Sequence, residues 1–92
     1  MGASVARRTV VVTNRLGIHA RPAVLIVTLA RQFNAAITLI KDNMRVEATE
    51  VLQVLSLGAG QGQQLELEAS GADAPQALDA MEQLFIHKFD EE

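Results

Sequence analysis

In the stretch GIHARPA, Gly17–Ala23, a histidine and an arginine stand two residues apart where a long apolar segment begins. A neutral imidazole has a lone pair and is a nucleophile. A guanidinium can grip a phosphate with two parallel donors. Pro22 suits the first turn of a helix, where a missing N–H costs nothing. If that helix begins near Ala20, the N–H groups of Ala20 and Arg21 lack partners within it and carry roughly half a positive charge. Such an end binds anions. The residues alone leave three readings of this segment open. His19 attacks a phosphoryl group, and Arg21 with the helix end holds the resulting dianion without a metal. Alternatively, His19 caps the helix and Arg21 is solvated. In the third reading Arg21 and the helix end sense a phosphate anion with no covalent step. A local conflict accompanies all three, because a residue before proline is pushed away from helical angles, so Arg21 is strained or the helix starts later.

These side chains need a framework. Thr9–Thr13, TVVVT, is β-branched throughout and reads as a strand. Asn14–Gly17 forms a turn, with Gly17 free to take angles other residues avoid. The spacing of Ala23, Ile26/Val27, Ala30 and Phe33 favours a helix over the following apolar run. Ala36–Lys41 reads as a second strand, Lys41–Asn43 as a turn and Met44–Ala48 as a third strand. Thr49 is the expected N-cap of a short helix over Glu50–Leu57, ended by Gly58. Gly58–Gln64 reads as a flexible loop and lacks the Gly-Lys-Ser ending of a phosphate cradle. Leu65–Ser70 alternates cleanly as a half-buried strand. After a turn over Gly71–Pro75, a last helix is expected from Gln76 to about Phe89, with Ala77, Leu78, Met81, Leu84, Phe85 and Lys88 in helical register. The order βαββαβα implies an α+β layer fold with an antiparallel sheet and helices on one side.

Composition bounds the function. The 92 residues suit one domain, 1–92, with no repeats. A net charge of −3 argues against general nucleic-acid binding, which needs a basic face. Without cysteine there is no disulfide framework and no thiolate metal site. Two distant histidines give no metal spacing, so neither a metal nor a cofactor is expected. The run Ala23–Ala30, interrupted by Thr28 and closed by Arg31, is too short to span a bilayer. No secretory signal or myristoylation pattern marks the N-terminus. The default expectation is a soluble, cytoplasmic protein, and the start and end suit a free protein rather than a fused domain.

Two longer segments carry a family resemblance. NRLGIHARPA, Asn14–Ala23, resembles the active-site segment of HPr, the histidine-containing phosphocarrier family of the phosphoenolpyruvate-dependent phosphotransferase system. EVLQVLSLGAGQG, Glu50–Gly62, resembles the family's second-helix segment, and the element order matches from about Thr9 to Phe89. The resemblance implies an open-faced β-sandwich: a four-stranded antiparallel sheet in order 1-4-2-3, covered on one face by three helices. It implies that His19 accepts phosphate from phosphorylated enzyme I on Nδ1 and passes it to a IIA protein or domain. Arg21 would steady the phosphoryl group, the Ala20 and Arg21 N–H groups would bind it, and Gly17 and Pro22 would shape the site. Val51, Leu52 and Leu55 would form the apolar patch that partners bind, although ordinary core is the competing reading for Val51 and Leu55. The chain would then be a stoichiometric relay and a monomer rather than an enzyme that turns over alone. An alternative is a regulatory binding protein whose docking is tuned by phosphorylation of His19, with a regulatory protein as partner.

Departures from the family pattern carry their own expectations. Glu50 stands where members under serine-kinase control carry a regulatory serine, and Ser56 matches a different position, so phosphorylation there is expected to be absent. Glu50 is either a partial mimic of that phosphate or a carboxylate favoured at a helix start. Leu25 and Leu29, four apart on the first helix, either widen the partner surface or are buried. The ending LFIHKFDEE resembles that of the nitrogen-related NPr branch. His87, near the end of the last helix, suits the dipole there and is given no chemistry.

Overall fold

The β-branched run does form extended chain, but the strand is displaced toward the N-terminus. In the computed structural model, which describes residues 5–92, β1 spans Val5–Val11. The first four residues, on which the signal-pattern reading partly rests, lie outside the described residues. Pairing sets the strand's limits, because β1 runs antiparallel to β4 (Gln64–Ser70), with Val5 opposite Ser70 and Val11 opposite Gln64. The charges at Arg7 and Arg8 are accommodated because carboxylates meet both. Arg7 reaches Glu68 at 3.1 Å, and Arg8 reaches Asp79 and Glu82, each at 2.7 Å. Val12 and Thr13, expected in the strand, lie beyond it, where the Val12 N–H donates to Gln63 O and Val12 O accepts from the Gly62 N–H.

β2 (Ala36–Lys41) and β3 (Met44–Glu47) form a hairpin across Asp42–Asn43, with Asp42 at φ 55°. The four strands lie in the order β1-β4-β2-β3, all neighbours antiparallel, as the family resemblance implied. The alternation in LELEAS is expressed directly: Leu65, Leu67 and Ala69 are buried, while Glu66 and Glu68 point to the open face. A strand's side chains alternate across a sheet, so one face is left for helices.

The helices fill that face. α1 (Ala20–Ala30) buries Ala23, Ile26, Val27 and Ala30, the expected stripe. It stops short of Phe33, because Gln32 and Phe33 make tighter bonds to Leu29 and Ala30. α2 (Val51–Ser56) starts later than expected: Glu50, in extended geometry, is its N-cap instead of Thr49. The Thr49 carbonyl instead accepts from the Arg31 guanidinium at 2.7 Å. α3 (Ala74–Ile86) starts two residues before Gln76, with Pro75 inside its first turn, where no N–H is needed. It also ends before Phe89. Lys88, Phe89 and Asp90 all have φ near 55–58° and reverse the chain, so Phe89 packs edge-to-face on Phe85 with ring centres 4.9 Å apart. Phe85, Ile26, Leu39, Leu67 and Met81 are among the largest fully buried side chains of the core between sheet and helices.

Candidate functional site

The site lies where the chain leaves β1 and enters α1. Asn14 is completely buried, and its Nδ2 donates to Gly17 O at 2.7 Å, closing the turn. Gly17 has φ +69°, and a Cβ there would lie 2.6 Å from Ala59 O and 2.8 Å from the Gly60 Cα. Only glycine fits both the angle and the space. The Ile18 N–H then donates to Ala59 O at 2.9 Å, and the Ile18 side chain is buried. The Gly58–Gln64 loop, expected to be flexible, is thus anchored by its backbone to the turn before His19 and to Val12.

His19 is the N-cap of α1, with φ −90° and ψ −164°, and its carbonyl accepts from Ala23 N–H at 3.0 Å. Its side chain, however, does not cap the helix. The ring turns instead toward the far end of the sequence, where Nε2 meets Glu91 Oε1 at 2.8 Å. A carboxylate only accepts, so Nε2 carries the hydrogen of this pair and Nδ1 of the neutral ring keeps the lone pair. The His19 side chain is 36% exposed, accessible to a reactant yet fixed at one edge. Arg21 lies within the first turn of α1, so the helix is not delayed by Pro22, and its side chain is exposed. The Ala20 and Arg21 N–H groups precede the first helical bond and take no partner among the described residues.

Glu91 was not visible to sequence reasoning. It approaches from 72 positions away, and no local spacing signals it. The same Oε1 also accepts from Asn14 Nδ2 at 2.9 Å, and the Glu92 carbonyl accepts from Arg15 N–H at 2.6 Å. The His19 hydrogen bond, then that from Asn14, holds the Glu91 carboxyl below the ordinary glutamate range; the charge of Arg21 contributes less. Here a histidine, an arginine, a free helix end and a fixed carboxylate come together. They can present a nucleophilic nitrogen beside an anion-binding end.

The proposed partner patch is only partly core. Leu52 is 81% exposed, while Val51 and Leu55 are half-buried against the core. Leu16, on the loop before His19, and Val24, on α1, are also exposed, and sequence reasoning passed over both. Leu25 and Leu29 are half-buried instead. Glu50 is exposed and makes no side-chain capping bond. His87 caps α3, its Nδ1 2.9 Å from Gln83 O. Among the described residues no group of three metal-ligating side chains occurs, and no helix is long and apolar enough to cross a membrane.

Known proteins resemble this chain in sequence and fold. The family described as the PTS HPr component phosphorylation site matches residues 6–87. A phosphocarrier protein HPr from Treponema pallidum is 48% identical over 92% of this chain and 97% of its own. A phosphocarrier protein NPr from Escherichia coli K12 is 40% identical over 94% of this chain and 97% of its own. Among solved structures, HPr from Thermoanaerobacter tengcongensis superposes with a TM-score of 0.91 at 39% identity, covering 95% of this chain and 98% of that one. The fold, its strand order and these relatives agree, and the chain belongs to the HPr family of phosphocarriers of the phosphotransferase system.

Proposed function

We propose that His19 is the residue on which this phosphocarrier holds its phosphoryl group, accepting it at Nδ1 from phosphorylated enzyme I and yielding it to a IIA protein or domain. The observation that carries this reading is the way His19 is held: Nε2 is engaged by Glu91, which leaves Nδ1 as the nucleophile at the start of α1. Arg21 and the N–H groups of Ala20 and Arg21 receive the dianion. Gly17 and Pro22 fix the backbone around it. The protein is consumed and regenerated in each transfer, so it acts as a stoichiometric relay with a phosphohistidine intermediate, needing no metal or cofactor of its own. It works as a cytoplasmic monomer. Val51, Leu52 and Leu55 form the apolar contact surface beside the histidine for enzyme I and for the acceptor. With Glu50 in the serine's place, no phosphorylation regulates that surface from the start of α2.

The test is intact mass after incubation with phosphoenolpyruvate and each enzyme I of the source organism, before and after acid. The expected result is one acid-labile phosphoryl group, absent from a folded His19→Ala protein. Relatives named HPr and NPr both resemble the chain, so the enzyme I that labels it faster assigns the sugar or the nitrogen branch. Label that persists in His19→Ala, or no added mass with either enzyme, refutes the assignment.

A further inference from the structure

The segment after α3 is built to deliver one carboxylate. Three successive residues, Lys88, Phe89 and Asp90, sit in the left-handed region without a glycine among them. That geometry costs about 1–2 kcal/mol per residue for L-amino acids, so something must hold it. Phe89 does so, fully buried against Phe85. The next residue, Glu91, then reaches His19 Nε2 and Asn14 Nδ2 together, and the Glu92 backbone oxygen accepts from Arg15 N–H, tying this segment to the loop before His19. Asn14 also holds Gly17, so the carboxylate and the backbone leading to His19 are positioned by the same amide.

Resting on the reading of His19 as acceptor, we infer that Glu91 is a positioning residue for phosphoryl transfer, holding the proton on Nε2 throughout the cycle. In the free protein, the Nε2–H···Glu91 bond fixes the tautomer and the ring's orientation, so the Nδ1 lone pair is available. During transfer, that lone pair forms the new N–P bond as the donor's bond to phosphorus breaks, and the donor's leaving atom keeps its electron pair. No proton leaves Nε2. The ring therefore becomes cationic as it gains the phosphoryl group, and the adjacent carboxylate stabilises that charge, as a buried aspartate does for the histidine of a serine protease. The retained Nε2 proton matters equally in the onward step. When the N–P bond breaks toward the acceptor, the departing group is a neutral imidazole rather than an imidazolate anion. One contact thus serves both acceptance and release.

The experiment compares wild type with Glu91→Ala, Glu91→Gln and Glu92→Ala as complete chains. Two readouts are taken: the imidazole 15N shifts of His19, with His87 as internal reference, and phosphoryl-transfer rates from enzyme I and to the IIA acceptor. Wild type is expected to show a single Nε2–H tautomer. In Glu91→Ala the two His19 nitrogen shifts move toward one another, and both transfer rates fall about tenfold, the scale of one hydrogen bond to a charged group. Glu91→Gln keeps an acceptor oxygen without the charge, so its shifts stay near wild type while its rates fall roughly threefold. Glu92→Ala behaves as wild type, because only its carbonyl makes a contact. Unchanged His19 shifts in Glu91→Ala overturn the inference, whatever the rates, as do rates within twofold of wild type. The shift measurement needs no phosphoryl transfer. Failure to label His19 in wild type would thus strike the acceptor role itself, and is distinguishable from an idle Glu91.

Discussion

Replacing Gly17 with alanine tests the architecture of the site with the smallest possible change. Two independent penalties meet there. The first is conformational: at φ +69° an L-residue loses about 1–2 kcal/mol relative to glycine. The second is steric. The new Cβ would stand 2.6 Å from Ala59 O and 2.8 Å from the Gly60 Cα, both backbone atoms that cannot swing aside. The Gly58–Gln64 loop must therefore back away, and in doing so it stretches the 2.9 Å bond from Ile18 N–H to Ala59 O, which contributes about 1 kcal/mol. Together these come to about 2–3 kcal/mol, or roughly 10–20 °C in Tm for a domain of this size. Gly58→Ala supplies the control. Its φ is +60°, but nothing lies within 4 Å of its Cβ position, so only the conformational penalty of about 1–2 kcal/mol applies. Urea denaturation of both variants measures the difference, and transfer to His19 should slow in Gly17→Ala alone. Equal destabilisation of the two, or a Gly17→Ala loss below about 0.5 kcal/mol, would refute the claim that the loop and the turn are locked in contact.

Two further perturbations separate surface from framework. Leu52→Asp should leave stability within about 0.5 kcal/mol of wild type, because its side chain is largely in solvent, yet weaken binding to enzyme I severalfold in titration calorimetry; unchanged affinity would remove Leu52 from the interface. Phe89→Ala should cost about 3–5 kcal/mol in urea denaturation and also bring the His19 nitrogen shifts to those of Glu91→Ala, since the anchor of the left-handed turn is gone. Shifts that stay at wild-type values would show that Glu91 keeps its place without that anchor.

Much of this molecule was legible in its sequence, and the exceptions share a cause. The alternation of Leu65–Ser70 and the apolar stripe of Ala23, Ile26, Val27 and Ala30 are local patterns, and the structure follows them. The Val5–Arg8 half of β1 could not be read locally. Two adjacent arginines look unlike a strand until Glu66 and Glu68 on β4 and Asp79 and Glu82 on α3 are placed beside them. The start of α2 was misplaced for a similar reason. Thr49 is a good capping residue by type, but Arg31 engages its carbonyl, and Glu50 takes the cap position. At the site, His19, Arg21 and the helix start lie within one short motif and were found together. Glu91 depends on a reversal at Lys88–Asp90, where Lys88 and Phe89 have no preference for left-handed angles, imposed by where Phe89 is buried.

The strand order also sets when the site can come into being. Only β2 and β3 are neighbours both in sequence and in the sheet, so their hairpin can close as soon as Met44–Glu47 has been made. β1, which leads into His19, has no sheet partner among the described residues until β4 arrives, and Val5 waits for Ser70. Pairings this distant in sequence close slowly, because the intervening chain must be ordered before the contact rewards it. Glu91 is added later still. A growing chain therefore displays the histidine long before it has a settled ring, and the His19–Glu91 contact is among the last features of the site to form. A molecule in which Glu91 holds the His19 ring has already brought β1 and the segment after α3 together.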